Sequence, residues 1–383
     1  MKIMHLSDLH IGKKVNEVSM LEEQRYILTQ ICAIAKDRVP DGIIIAGDVY
    51  DKSNPSAEAM TLFSTFLSEL SSLGKSIFVI SGNHDSAERI SYMNPLLASA
   101  HIYMSPIYDG SIKPLTLEDE YGVVNLYLLP FIKPAVVRHY LEDSQKEKID
   151  SYNAAIRKVV DIMDVDESKR NILVAHQFIT SAQRSDSEDV MVGGLDNVDA
   201  STFDVFDYVA LGHLHRPQYC SRPEVRYCGS PLKYSFSEVN DSKSVTFIEM
   251  GPKGQINIDL VPLSPLHDWH DLKGTYEQIT SRDFYLGKNI QEDFVRITLT
   301  DEEDVPDAIS KLRIIYHNIM ELRYDNKRTR AGVSYISGAD DIDHKTPQEL
   351  FDDLFFRQND EHMSQAQSRF LDDLVEKIMD DNR

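Results

Sequence analysis

The chain has 383 residues, enough for one large domain with a smaller one beside it. Its 42% apolar and 27% charged content is ordinary for a soluble globular protein, and no apolar run reaches the roughly 18 to 20 residues that a membrane helix needs. The balance of 40 basic against 62 acidic side chains leaves a net charge of −22, a field that repels phosphate-rich partners unless local cations or another chain offset it.

The opening Met1-Lys2-Ile3-Met4-His5-Leu6-Ser7-Asp8 sets a charge where a secretion signal would need an apolar core. It reads as a first strand, and no secretion is expected. Continuous apolar runs predict buried strands at 42–46, 77–80, 125–129, 172–175, 208–211 and 245–250. The clearest helix starts at Asn54-Pro55, sets Met60, Phe63, Phe66, Leu67, Leu70 and Leu73 on one face, and stops at Gly74. Strands alternating with helices predict an α/β layered domain over 1–265. Pro262 to Asp268 reads as a linker. A small α+β domain over 266–328 follows, with strands at 294–299 and 320–324 around a helix over 305–319. The polar stretch 329–345, rich in Gly, Ser and Asp, reads as a flexible tether to a helical tail over 346–383. Cys32, Cys220 and Cys228 form an odd set without C-x-x-C spacing, which suits a reducing cytoplasm.

Five short motifs each follow one of the apolar runs: Asp8-Leu9-His10, Gly47-Asp48-Val49-Tyr50-Asp51, Gly82-Asn83-His84-Asp85, Ala175-His176 and Gly212-His213-Leu214-His215. Singly, each could be a turn or a core histidine. Strand C-termini of an open α/β sheet gather at one edge, so five in this order converge on one site. Asp8 with His10, and His213 with His215, are spaced to grip a cation from two sides. Carboxylate, imidazole and amide oxygen without thiolate select hard or borderline ions such as Mn, Mg or Fe over structural zinc. Two such ions activate water and absorb charge at phosphorus.

These motifs resemble the calcineurin-like metallophosphoesterase superfamily over roughly residues 1 to 250. The resemblance implies a four-layer α/β/β/α sandwich holding two divalent metal ions, Mn first among them. One ion would be held by Asp8, His10, Asp48 and His215, the other by Asp48, Asn83, His176 and His213. His84 would contact the scissile phosphate, with Asp51 and Asp85 orienting it. The string GDVYDKSNPS and the Tyr227-Cys228-Gly229-Ser230-Pro231 to Ser235-Phe236-Ser237-Glu238 stretch resemble the SbcD branch of nucleases. That branch implies a DNA-capping role for 266–328, double-strand exonuclease activity with an SbcC-type coiled-coil ATPase, and single-strand endonuclease activity.

Lys13, Lys14, Lys52 and Arg89 lie beside metal motifs, and Arg184 lies in the polar loop Thr180 to Asn197, where Gly193-Gly194 suggests mobility. All five are candidate DNA contacts. Leu350, Phe351, Leu354 and Phe355, then Phe370, Leu371 and Leu374, recur at helical spacing beyond the tether and are expected to bind the ATPase, helix in groove. The helix beginning at Asn54-Pro55, with 94–98 beside it, is expected to pair two copies into a homodimer, and with the ATPase a heterotetramer. The acidic charge would also suit a small-molecule phosphodiesterase or a phosphoprotein phosphatase. An inactive scaffold is disfavoured because the seven ligand positions and His84 are all present.

Overall fold

The computed structural model describes residues 1–92, 94–146, 148–180, 182–188, 197–327, 329, 346–359 and 362–381. The expected tether at 329–345 and the glycine pair 193–194 lie outside the described residues, Thr329 apart. The chain forms two compact units, one of residues 1–188 with 197–325, the other of 189–196 with 326–383.

The first unit is built on two six-stranded sheets. One comprises β1 (Lys2–Leu6), β2 (Gly42–Ala46), β3 (Ser76–Ile80) and β4 (Ile102–Met104), with β11 (Ser244–Met250) and β12 (Ile256–Pro262) added antiparallel beyond β1. The other comprises β5 (Leu115–Asp119), β6 (Gly122–Leu129), β7 (Arg170–His176), β8 (Tyr208–Gly212), β9 (Gln218–Cys220) and β10 (Arg222–Tyr227), with β6, β7, β8 and β10 parallel. Alternation along the strands explains the layers. Ile44, Phe78, Leu126, Val174 and Ala210 face inward between the sheets, while Ile43, Ile45, Leu173 and Val209 face outward. Helices α1 (Leu21–Arg38) and α2 (Ala57–Ser71) cover one outer face, and α3 (Tyr152–Met163) covers the other. The result is the expected α/β/β/α sandwich, with every run read as a strand lying in one.

Helix α2 begins later than the Asn54-Pro55 reading. Ser56 is its N-cap, accepting from Ala59 N at 3.2 Å. Its buried stripe is Ala59, Leu62, Phe63, Phe66, Leu67 and Leu70, while Met60 points outward at 43% exposure.

Residues 262–268 do not form a free linker. Leu263 is buried and its N–H bonds Lys243 O at 2.9 Å, while His267 Nδ1 meets Glu23 Oε1 at 2.6 Å. A three-stranded parallel sheet follows: β13 (Trp269–Gly274), β14 (Phe294–Leu299) and β15 (Asn318–Tyr324). Trp269, Phe294 and Met320 join the apolar cluster beneath α1 and α2. The helix expected over 305–319 is only Ala308–Leu312: the left-handed Asp307 after Pro306 (φ +53°) delays its start, and the chain turns at 313–315 before entering β15 at Asn318.

In the second unit, α4 (Pro347–Asn359) and α5 (Gln365–Asp381) each open on a capping box, Thr346 with Glu349 and Ser364 with Gln367. Asp352 ties them, accepting from Met363 N at 2.8 Å. Phe351, Leu354, Phe370 and Leu374 are exposed, Leu350 and Phe355 are half-buried, and Leu371 is buried.

Candidate metal centre

All five motifs leave strand ends on one edge of the sandwich, and the loops carrying them are bent hard. Asp8, His10, Asp48 and His213 all have positive φ, the last at +104°, which costs free energy that the surrounding contacts must offset. Two glycines permit the crowding. A Cβ on Gly82 would run into the Asp48 backbone and carboxylate, and one on Gly212 into the Ala46 carbonyl and the His176 ring.

Asp48 is central. Its Oδ2 lies 3.2 Å from His176 Nε2, 3.5 Å from His10 Nε2 and 4.0 Å from His84 Nε2, while Oδ1 accepts from His84 N at 2.9 Å. On one side, His10 Nε2 meets His215 Nε2 at 3.0 Å, and Asp8 accepts from Ser7 Oγ and from His213 N. On the other, Asn83 Oδ1 is 3.0 Å from both His176 Nε2 and His213 Nδ1. The triads Asp8–His10–His215, His10–Asp48–His84 and Asp8–Asp48–His176 each bring one donor atom per residue within 4.8 Å of one another.

Electrostatics favour a cation here. Burial holds His10 well below the usual imidazole range and brings His213 and His215 to about 3, leaving neutral rings with lone pairs to give. Burial pushes Asp8 up to about 8, although His176 works against that and Asp48 reinforces it. For Asp48 burial pulls upward too, but His176, by its charge and its hydrogen bond, outweighs that and keeps Asp48 well below the carboxylate range. Two carboxylates in one buried pocket repel, and divalent ions would relieve that cost. The oxygen and nitrogen donor set fits hard or borderline divalent ions. His176 shows the tautomer control expected of a ligand, its Nδ1 held 2.8 Å from Ala46 O so that Nε2 faces the site.

His84 stands at the rim, its side chain 18% exposed. Its Nδ1 lies 3.0 Å from the Asp51 carbonyl, so Asp51 steers the ring through its backbone; the Asp51 carboxylate instead takes Lys13 Nζ at 3.0 Å. Asp85 differs from its expected role of orienting His84. Its carboxylate accepts from Val49 N at 3.1 Å, Tyr50 N at 2.9 Å and Gly82 N at 3.0 Å, which fixes one metal loop against another. Burial raises it to about 6, with Asp48 adding to the effect.

Of the candidate DNA contacts, Lys14, Lys52 and Arg89 are exposed. Lys13 is half-buried, paired with Asp51, and 5.6 Å from the Tyr234 ring centre. Arg184 is half-buried, its guanidinium 3.6 Å from the Phe178 ring centre. Residues that sequence reasoning missed support the site from behind. Gln24, buried on α1, donates to His10 O at 2.7 Å, and Tyr234 donates to Leu9 O at 2.7 Å. Glu188 accepts from His215 N at 2.6 Å, and Ser187, Glu238 and Lys243 lie behind that ring. The only signal for Tyr234 and Glu238 was their place in the string after Gly229-Ser230-Pro231; nothing in the sequence marked Gln24.

A sandwich of two mixed sheets whose strand-end loops gather carboxylates, imidazoles and an amide around Asp48 has the candidate ligands of a metallophosphoesterase centre. Residues 1–217 match the calcineurin-like phosphoesterase family, and residues 264–359 match the family described as the type 5 capsule protein repressor C-terminal domain. The chain is 34% identical over 387 residues, covering 99% of both, to the SbcD component of the nuclease SbcCD from Staphylococcus epidermidis. It therefore belongs to the SbcD family of calcineurin-like phosphoesterases. A dimetal phosphatase from Danio rerio is a fainter structural likeness: 11% identity, 70% of this chain and 98% of that one, TM-score 0.40.

Proposed function

We propose that this chain is the metal-dependent nuclease subunit of a DNA-processing complex, hydrolysing DNA phosphodiesters with two divalent ions, Mn the best suited. The observation that carries the reading is the buried cluster around Asp48, in which donors from five separate loops lie within a few ångströms. Asp8, His10, Asp48 and His215 would hold one ion; Asp48, Asn83, His176 and His213 would hold the other. The ions supply Lewis-acid activation of water and of the scissile phosphate when bound. The chain's own part is to hold that geometry and to present His84 Nε2 to the leaving oxygen, steered by the Asp51 carbonyl. Asp85 keeps the loops of Asp48 and His84 in register.

Relatedness to a named component of a two-component nuclease favours an SbcC-type ATPase partner, with double-strand exonuclease activity in the complex and single-strand endonuclease activity besides. The exposed apolar side chains of α4 and α5 suit that partner. Lys14, Lys52 and Arg89 are the exposed candidates for phosphate contact, and the sheet β13–β14–β15 is the candidate DNA cap. Homodimerisation is supported by a 610 Å³ cavity lined by Phe63, Leu67, Leu97 and Met104, rimmed by exposed Met60 and Tyr92. Among the described residues no helix is long and apolar enough to cross a membrane, and we place the protein in the cytoplasm, at the nucleoid.

The net charge of −22 favours one rival, a phosphatase of small or protein substrates. Hydrolysis of bis-p-nitrophenyl phosphate over the monoester, together with cleavage of single-stranded DNA under Mn, supports the nuclease; the reverse preference without DNA cleavage refutes it.

A further inference from the structure

His215 is braced differently from the other site histidines. Its Nε2 faces His10, and because Ser187 gives its single proton to the Glu238 carboxylate, His215 Nδ1 carries the ring proton and donates to Ser187 Oγ at 2.6 Å. The Ser187 hydroxyl in turn donates to Glu238 Oε1, also at 2.6 Å. Glu238 is fully buried. Buried Lys243 balances it, with Nζ 2.6 Å from Glu238 Oε2 and 2.7 Å from the His215 carbonyl. An imidazole N–H thus reaches a carboxylate through one hydroxyl. Among the described residues, His176 has only the neutral Ala46 carbonyl behind its Nδ1. A carboxylate behind an imidazole makes the opposite nitrogen the better donor, and partners of this kind shift metal affinity by roughly 10- to 100-fold.

Ser187 is held in place by its own loop. Asp186 N donates to Ser237 Oγ at 2.9 Å, Glu188 accepts from His215 N, and Gln183 N donates to Gln218 Oε1 at 2.8 Å. Residues 183–188 are thereby latched onto the site.

We infer that Ser187 and Glu238 are positioning residues that make His215 the stronger imidazole ligand, so that the Asp8–His10–Asp48–His215 position keeps its ion at concentrations where the Asn83–His176–His213 position releases its own. This rests on the two-metal reading above.

The test is Mn titration of the full chain, with free Mn followed by electron paramagnetic resonance, in the unmodified protein, Ser187→Ala and Ser187→Thr. Glu238 keeps Lys243 and Ser235 Oγ (2.8 Å) when Ser187 loses its hydroxyl, so the alanine variant retains its buried ion pair. The unmodified chain should bind two ions in separable steps. Ser187→Ala should weaken the tighter step by about tenfold or more, leave the weaker step in place, and leave the metal-free melting temperature unchanged; Ser187→Thr should restore the tighter step. Unchanged binding, equal weakening of both steps, weakening of the looser step alone, or a loss tracking the metal-free melting temperature would overturn the inference. An unmodified chain that binds no Mn would overturn the two-metal reading instead.

Discussion

Replacing His84 with alanine separates a role in chemistry from a role in metal binding. The ring is fixed at one end by the Asp51 carbonyl, 3.0 Å from Nδ1, and its Nε2 sits 4.0 Å from Asp48 Oδ2, beyond a direct hydrogen bond. It lies at the rim rather than in the core, so truncation should cost the fold under about 1 kcal/mol. A positioned acid contributes roughly 10²- to 10⁴-fold, which at about 1.4 kcal/mol per tenfold amounts to some 3–6 kcal/mol of barrier. His84→Ala should therefore lose that much turnover on single-stranded DNA while binding both Mn ions. The defect should shrink on bis-p-nitrophenyl phosphate, whose nitrophenolate leaves without protonation. Metal content falling in step with activity, or a loss below tenfold on DNA, would refute the assignment.

Other perturbations probe the scaffold and its surfaces. Hydrogen bonds from Arg170 are the largest influence holding Asp119 below the usual carboxylate range, so the pair contributes stability above the unfolded-state value near 3.9 and loses it as pH falls toward the lower folded value. Asp119→Asn, unfolded by urea in metal-free buffer, should be about 1–3 kcal/mol less stable at pH 7 with a gap that narrows near pH 3; an equal gap at both would contradict this. Met60→Glu, at the exposed rim of that cavity on α2, should shift a dimer to monomer in sedimentation at micromolar concentration, and an unmodified chain that is already monomeric removes the dimer proposal. Deleting residues 346–383 should end ATPase association while sparing cleavage of short single-stranded DNA. A drop of several degrees in the melting temperature of the isolated chain would instead mean that the tail packs on its own protein.

The candidate metal centre was legible because each candidate ligand follows a continuous apolar run, and such runs terminate together at a sheet edge. What stayed hidden depends on contacts between distant segments. Asp85 neighbours His84 in sequence, yet it spends its carboxylate on backbone N–H groups of another loop. Ser187 and Glu238 are 51 positions apart and meet only behind His215. Periodicity could not tell that Met60 faces outward, since a helical stripe wide enough for a core also reaches the surface. Strand β13, Trp-His-Asp-Leu-Lys-Gly, escaped because only Trp269 and Leu272 of its six residues are buried. The overlong helix at 305–319 starts late at the left-handed Asp307 and ends at Leu312, where the chain turns toward β15.

Everything proposed for catalysis depends on two ions side by side, bridged by Asp48. Crystals of the full chain soaked in Mn, measured for anomalous scattering at the Mn edge, address this directly. Two peaks are expected about 3.5–4 Å apart with Asp48 between them, one beside His10 and His215 and the other beside Asn83 and His176. A single peak, or ions bound away from Asp48, would contradict the two-metal centre.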